Sequence, residues 1–340
     1  MTQNRRIVLA ERPRYITPTA NCFQLQSGAL PQPGEGQLLV RTTWLSLDPY
    51  LHGRLKRTTA QAEPVKVGDV MVGATIGRIE QSRHPDYKAG DLVRGFWGWQ
   101  DYAAVEPKRV HKLDPCLQQP SLALGTLGLP GFGAWLALRV LSPVKAGETV
   151  VIGTATGALG QTAGQIAKLM GCRVVGIAGG PEKCRLATER LGYDACVDHR
   201  QRDFADHLRA ACPKGIDVYV ETIGGKATSA VLRLCNLQAR VTVAGLMSMI
   251  TRQGSAEDAL LADDFLNEVV NRRLSIRGLV TFDHIETHFG LFQDEMLAWI
   301  GDGRVKPVEH VVDGLEHAPS ALQGLFEGRN LGKLIVKVAD

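Results

Sequence analysis

The run over residues 148–183 constrains this chain most. It reads as a short apolar strand, Thr149-Val150-Val151-Ile152, and a turn of small residues, Gly153-Thr154-Ala155-Thr156-Gly157-Ala158-Leu159-Gly160. A helix with apolar periodicity over 161–170 and a second strand over 173–178 follow. Strand, glycine turn, helix and strand within about thirty residues are the first half of a dinucleotide-binding βαβ unit. Glycines let the backbone turn tightly against a pyrophosphate, and the open N–H groups of the helix N-terminus hold its charge. Gly164, one turn on, lets the helix lie close to the sheet.

The turn reads G-x-x-x-G-x-x-G rather than G-x-G-x-x-G, so the end of the second strand decides more. An NAD site places an acid there for the ribose 2′-hydroxyl. This chain has Ile177-Ala178-Gly179-Gly180 followed by Pro181-Glu182-Lys183-Cys184-Arg185. A missing carboxylate with cations nearby suits a 2′-phosphate, and the expected cofactor is NADPH.

With 340 residues the chain is long enough for two domains. A formal charge of +4 gives no reason to expect nucleic acid or an anionic membrane as partner. The seven cysteines are scattered and never form C-x-x-C, against both a disulfide framework and a zinc cluster. Most sit in apolar strands or helices and read as inert core thiols. The apolar run after the N-terminus is too short for a signal segment, and none approaches a membrane span of about eighteen residues. A soluble cytoplasmic protein is expected.

Residues 1–125 carry short β-like runs at 7–9, 37–42, 70–79, 91–95, 99–105 and 109–112, separated by Gly and Pro turns. They suggest a compact, partly barrel-like β domain. From residue 126 strands and helices alternate. Helices are expected over 182–191, 203–211, 226–234, 259–271 and 284–300, with strands over 195–197, 215–221, 239–244 and 274–280. That succession predicts a doubly wound parallel α/β sheet with its ligand at the carboxyl ends of the strands. The tail, 305–340, offers two β-like runs around a helix and is expected to return to the first domain. The expected division is therefore 1–125 with 305–340 around the substrate, and 126–304 around the dinucleotide.

Several stretches in fixed order carry a resemblance: Leu47-Asp48-Pro49-Tyr50, Gly125-Thr126-Leu127-Gly128-Leu129-Pro130-Gly131, Gly157-Ala158-Leu159-Gly160, Glu221-Thr222-Ile223-Gly224-Gly225 and Asn330-Leu331-Gly332-Lys333. The whole chain resembles the medium-chain dehydrogenase/reductase superfamily. Within it, the resemblance is to the zinc-independent leukotriene B4 12-hydroxydehydrogenase/prostaglandin reductases and alkenal double-bond reductases. It implies a Rossmann-type sheet plus a GroES-like β domain, and a homodimer. Zinc alcohol dehydrogenases of the superfamily need a Cys and a Gly-His-Glu in the first domain, where this chain has Gly68-Asp69-Val70-Met71-Val72-Gly73. No metal is expected.

The reaction implied is NADPH-dependent reduction of the C=C bond of an α,β-unsaturated aldehyde or ketone. Charge develops on the carbonyl oxygen, so hydrogen-bond donors aimed there supply much of the rate. Tyr50 is the candidate at that site, as donor or as shape. The resemblance carries over Thr126, Gly157 and the backbone of Ala158, Leu159, Gly160 and Gln161 for nicotinamide and pyrophosphate. It carries over Lys183 for the 2′-phosphate. A tyrosine that relatives use for the adenosine phosphate falls at His199, with Arg200 beside it, and Thr222 stands where an Asn is usual. Ser248, Leu279, Val280, Thr281 and Asn330 are expected at the nicotinamide half. A tyrosine usual in the following loop is replaced by Met249 or Ile250. The loop over 248–262, with Trp97, Trp99 and Phe282, is expected to shape the substrate's place. An NADPH:quinone reductase and a non-catalytic NADPH-binding protein remain the alternatives.

Overall fold

The computed structural model describes residues 3–14, 17–56, 63–251 and 262–340. The chain divides into two compact units, one of 1–124, 309–330 and 334–340, the other of 125–308 and 331–333. The first unit begins with an antiparallel ribbon of β1 (Asn4–Leu9) and β2 (Phe23–Gly28). It continues through β3 (Leu38–Ser46), the short helix α1 (Leu51–Leu55), β4 (Thr75–Ser82), β5 (Leu92–Gly95), β6 (Tyr102–Val105) and β7 (Val110–Lys112). β2 had no counterpart in the sequence reading, because its amide-rich Phe-Gln-Leu-Gln-Ser-Gly lacks an apolar run. Residues 70–71, expected to open the β4 strand, instead bridge the ribbon: the Met71 N–H donates to the Ile7 carbonyl at 2.9 Å and Val70 faces Val8.

The second unit holds α2 (Leu129–Leu136), β8 (Thr149–Ile152), α3 (Ala158–Leu169), β9 (Arg173–Ala178), α4 (Pro181–Arg185) and β10 (Ala195–Asp198). After them come α5 (Phe204–Ala211), β11 (Ile216–Glu221), α6 (Gly225–Leu232), β12 (Cys235–Val243), α7 (Met247–Thr251), α8 (Ala262–Arg272), β13 (Ser275–Gly278) and α9 (Ile285–Gly301). The six strands lie parallel in the order β10-β9-β8-β11-β12-β13. This is the doubly wound sheet read from the sequence, with the order reversing between β8 and β11. The carboxyl ends of strands flanking such a reversal diverge and leave a crevice for ligand. All four residues of β8 are buried, as a central parallel strand covered on both faces requires. β12 starts four residues earlier than expected, with Gln238 in a left-handed turn inside it.

Two glutamines explain why the unit ends after Val308 rather than at 304. Gln161 on α3 donates its amide to the Val308 carbonyl at 2.9 Å and accepts the Val308 N–H at 2.7 Å. Gln165, one turn along, accepts the Lys306 N–H at 2.7 Å. Side-chain amides thus substitute for a partner strand along 306–308, satisfying backbone groups that burial would otherwise leave unpaired.

The tail supplies β14 (Glu309–Asp313), α10 (Ala318–Phe326) and β15 (Lys333–Lys337). β15 pairs antiparallel with β3, completing the order β14-β15-β3-β4-β5-β7. β3 slips register twice against β4, between Leu39 and Val40 and between Thr42 and Trp44, and also pairs with β6. Such irregularities bend a strand and curl its sheet. Among the described residues no helix is long and apolar enough to cross a membrane.

Gly164 admits an aromatic ring. A Cβ there would lie 2.2 Å from two ring atoms of Tyr193, whose hydroxyl donates to the Gly160 carbonyl at 2.7 Å. Gly164→Ala is therefore expected to lower the melting temperature by about 5 °C, from an overpacking cost of about 1–3 kcal/mol spread over a domain of this size. Thermal unfolding followed by circular dichroism checks it, and an unchanged midpoint would mean the ring gives way.

Candidate functional site

The turn between β8 and α3 is shaped by close approaches that only small residues permit. A Cβ on Gly160 would lie 2.3 Å from the Thr154 carbonyl oxygen. That carbonyl accepts the Gly157 N–H at 2.8 Å, closing the turn, and Gly157 then caps α3. The N–H groups at the very start of a helix have no intrahelical partner, and the helix dipole adds positive potential there. Ala158, Leu159 and Gly160 supply such groups at the mouth of the β8/β11 crevice. Gln161 corrects its expected role: its N–H is spent on the Gly157 carbonyl at 2.9 Å and its side chain holds Val308. It positions the unit's last segment rather than presenting backbone to a pyrophosphate.

The end of β11 forms the opposite wall. Glu221 is buried, and its carboxylate accepts N–H groups from Ile223 at 2.5 Å and Gly224 at 3.0 Å, plus the Thr228 hydroxyl. A carboxylate tied by backbone donors can remain charged in the interior. The knot holds Gly224 at a φ of 83°, where a Cβ would lie 2.4 Å from the Ser248 hydroxyl. Ser248 and Met247 donate their N–H groups to the Ile223 and Thr222 carbonyls at 2.7 and 3.0 Å. Thr222 and Ser248 are thus brought together, although the resemblance had put the first at the adenosine side and the second at the nicotinamide half. The sequence had named the Glu-Thr-Ile-Gly-Gly run without giving Glu221 a task.

Two cations and a histidine gather beyond β9. The space a Cβ would fill on Gly179 lies 3.1 Å from both Arg200 Nε and His199 Nε2. Lys183 on α4 is held below the ordinary lysine value by burial and then by the Arg200 charge. The His199 imidazole is lowered in turn by burial and by Arg200. Among the described residues neither Lys183 nor Arg200 makes an ion pair with a carboxylate. Glu182 and Asp198 offset part of the charge on Lys183 and His199 without closing an ion pair, and cations held together in this way fit an incoming multivalent anion.

Leu159, Leu279 and Thr281 converge over Gly133 of α2, with atoms 3.3–3.6 Å from where its Cβ would stand. The Leu279 N–H is fixed on the Val243 carbonyl at 2.9 Å. Thr126 lies buried in the loop entering α2, and its carbonyl sits 1.9 Å from the position a Cβ on Gly131 would take. Val280 and Phe282 are exposed beside them. These residues share one unit with the turn. Asn330 falls in the other unit.

In the first unit, Tyr50 leads into α1 and is 46% exposed. The protein packed around its phenol, and then the Asp48 carboxylate, hold its pKa above the ordinary tyrosine value. It is a neutral O–H donor at any physiological pH. Trp97 and Trp99, expected to shape a substrate's place, are core residues. Trp99 stacks on Phe23 with ring centroids 5.4 Å apart, and Trp97 donates to the Thr42 hydroxyl at 2.8 Å. Each large ring fills the interior of this small β unit, which the sequence pattern did not reveal. Met249 is exposed on α7, while most of the 248–262 loop lies outside the described residues. Among those residues, no group of three or more His, Cys, Asp or Glu is gathered as metal ligands. Burial raises the thiols of Cys172 and Cys212 to about 11 and that of Cys235 to about 12, so all three are unreactive, as expected of core cysteines.

Two family models match, the N-terminal domain of oxidoreductase over residues 5–113 and zinc-binding dehydrogenase over 158–294. The NADPH-dependent curcumin reductase of Escherichia coli is 45% identical over 99% of this chain and 97% of its own length. The chain belongs to the medium-chain dehydrogenase/reductase family, in its zinc-independent group of NADPH-dependent oxidoreductases. Within that family, the 2-alkenal reductase (NADP(+)-dependent) of Nicotiana tabacum is 34% identical over 90% of this chain and 88% of its own. The crystal structure of CurA in complex with NADPH from Vibrio vulnificus superposes with a TM-score of 0.94, at 41% identity and 99% coverage of both chains.

Replacing Arg200 or Lys183 by Ala is expected to weaken NADP+ binding about 10- to 100-fold, the worth of one hydrogen bond to a charged group, and to leave NAD+ binding unchanged. Because a bound phosphate favours the protonated imidazole, binding takes up a proton at His199. NADP+ affinity should therefore rise as pH falls toward the pKa of the free His199, which burial and Arg200 hold below the ordinary histidine value, while NAD+ affinity should not. Calorimetric titrations of both nucleotides at several pH values check both statements.

Proposed function

We propose that this oxidoreductase reduces the C=C bond of α,β-unsaturated aldehydes and ketones. The likeness to reductases named for 2-alkenals and for curcumin, over nine-tenths or more of the chain, carries the reading. When bound, NADPH supplies hydride to the β-carbon of the alkene. The chain's own residues do the rest. Lys183, His199 and Arg200 hold the 2′-phosphate, and the N–H groups of Ala158, Leu159 and Gly160 above Gly157 hold the pyrophosphate. Thr126, Leu279, Val280, Thr281, Ser248 and Asn330 line the nicotinamide half, with Thr222 beside the turn. Tyr50 donates a hydrogen bond to the substrate oxygen as enolate charge gathers there, and the α-carbon then takes a proton from water, which completes the reduction. A neutral phenol aimed at a developing oxyanion stabilises the transition state more than the ground state.

The Lys183 and Arg200 charges beside the end of β9, where the chain runs Gly179-Gly180 and carries no acid, support NADPH over NADH. We read the unit of 1–124, 309–330 and 334–340 as the substrate side, that of 125–308 and 331–333 as the cofactor side, and the cytoplasm as the place of work. A homodimer is also proposed: β13 is an edge strand of the parallel sheet, and among the described residues no strand pairs with its outer side.

The test follows absorbance at 340 nm while the protein meets a panel of alkenals, enones and quinones with NADPH or NADH, with and without chelator. Chelator-insensitive, NADPH-preferring turnover of alkenals and enones is expected, with Tyr50→Phe slower by about 10²-fold. Turnover of quinones alone would replace this reading with a quinone reductase, and tight NADPH binding without turnover would remove the enzymatic assignment.

A further inference from the structure

The turn that faces the pyrophosphate contains one residue whose backbone conformation its own side chain opposes. Thr154 has a φ of 41°, left-handed, although it is β-branched and not glycine. L side chains other than Asn and Asp rarely hold that conformation unless surrounding contacts impose it. The imposing contact is visible. Thr154 Oγ1 and Thr222 Oγ1 are 2.7 Å apart, hydroxyl to hydroxyl, and Thr222 is itself nearly buried. The Thr222 hydroxyl is so deeply set that a Cβ on Gly153 would lie 2.7 Å from it. The Thr222 carbonyl accepts the Met247 N–H, which keeps this residue from moving with the turn.

The orientation of the Thr154 peptide matters because its carbonyl does two things. It accepts the Gly157 N–H, and Gly160 packs against it at a distance no Cβ would allow. Were Thr154 to relax to negative φ, this carbonyl would swing and the start of α3 would lose its stop. The N–H groups of Ala158, Leu159 and Gly160 would then no longer be presented together.

We propose that Thr222 is a positioning residue: its hydroxyl clamps Thr154 in the left-handed conformation that keeps the pyrophosphate-facing turn open. It acts through Thr154 rather than by touching the dinucleotide. The proposal rests on the reading of NADPH as cofactor and adds which side chain prepares its cradle.

The test is fluorescence titration of the full chain with NADPH, using four proteins: unaltered, Thr222→Val, Thr222→Ser, and Thr222→Val combined with Thr154→Gly. Valine keeps the shape and removes the hydroxyl, serine keeps the hydroxyl, and glycine holds positive φ without a clamp. Thr222→Val is expected to weaken binding about fivefold, the worth of one neutral hydrogen bond. Thr222→Ser should bind within about twofold of the unaltered chain. Adding Thr154→Gly should recover most of the valine loss. A merely structural or directly contacting Thr222 would not be rescued by glycine at position 154, so absence of rescue overturns the proposal, as does unweakened binding by Thr222→Val. Apo melting curves of all four, expected within a few degrees of one another, guard against a folding defect; if glycine rescues binding only by restoring a lost melting midpoint, the proposal also falls. Failure of the unaltered chain to bind NADPH would instead sink the cofactor reading, and the proposal with it.

Discussion

The close approach of Gly160 to the Thr154 carbonyl is the contact on which the nucleotide unit depends. It sets where β8 ends and α3 begins, and so where unpaired N–H groups point. Everything around that point is arranged to keep it. Tyr193 reaches under Gly164 to bond the Gly160 carbonyl, and Thr222 reaches across from β11 to Thr154. Gln161 and Gln165 fasten the far face of α3 to 306–308. A helix N-terminus is a useful anion site only if its position is fixed, because the dipole effect fades within a turn.

Charge is handled differently at the two ends of the crevice. Beneath the β11 turn a buried carboxylate, Glu221, spends one oxygen on backbone donors and the other on the Thr228 hydroxyl, and serves geometry. Beyond β9, burial and then the Arg200 charge hold the Lys183 and His199 pKa values below their ordinary ranges. The first arrangement stabilises the folded chain as it stands. The second costs stability until an anion arrives, and groups tuned in that way mark binding sites.

Much of this was legible in the residues. The apolar run of β8, the small-residue turn and the missing acid after β9 together pointed to a phosphorylated dinucleotide, because each has a local physical cause. The alternation of strands and helices after residue 126 gave the doubly wound sheet. What misled was size. Trp97 and Trp99 looked like substrate contacts, since large aromatics in a loop-rich stretch carry no period that marks burial, yet they fill the core of the first unit. Gly164 looked like room for the sheet and proved to be room for Tyr193, a residue twenty-nine positions away in the chain. Gln161 looked like part of the pyrophosphate backbone, but α3 absorbs its N–H.

Sequence alone determined the fold class, the family and the chemical sign of the cofactor site, because these rest on periodicity, glycine placement and the charge of side chains near one turn. Tertiary structure decided which groups are spent and which remain available. That Thr222 answers Thr154, that Glu221 is consumed by its own turn, and that Arg200 joins Lys183 all follow from strands far apart in sequence ending side by side. Parallel strand pairing brings the ends of β8, β9, β10 and β11 together only in the folded sheet, so no local pattern records those contacts.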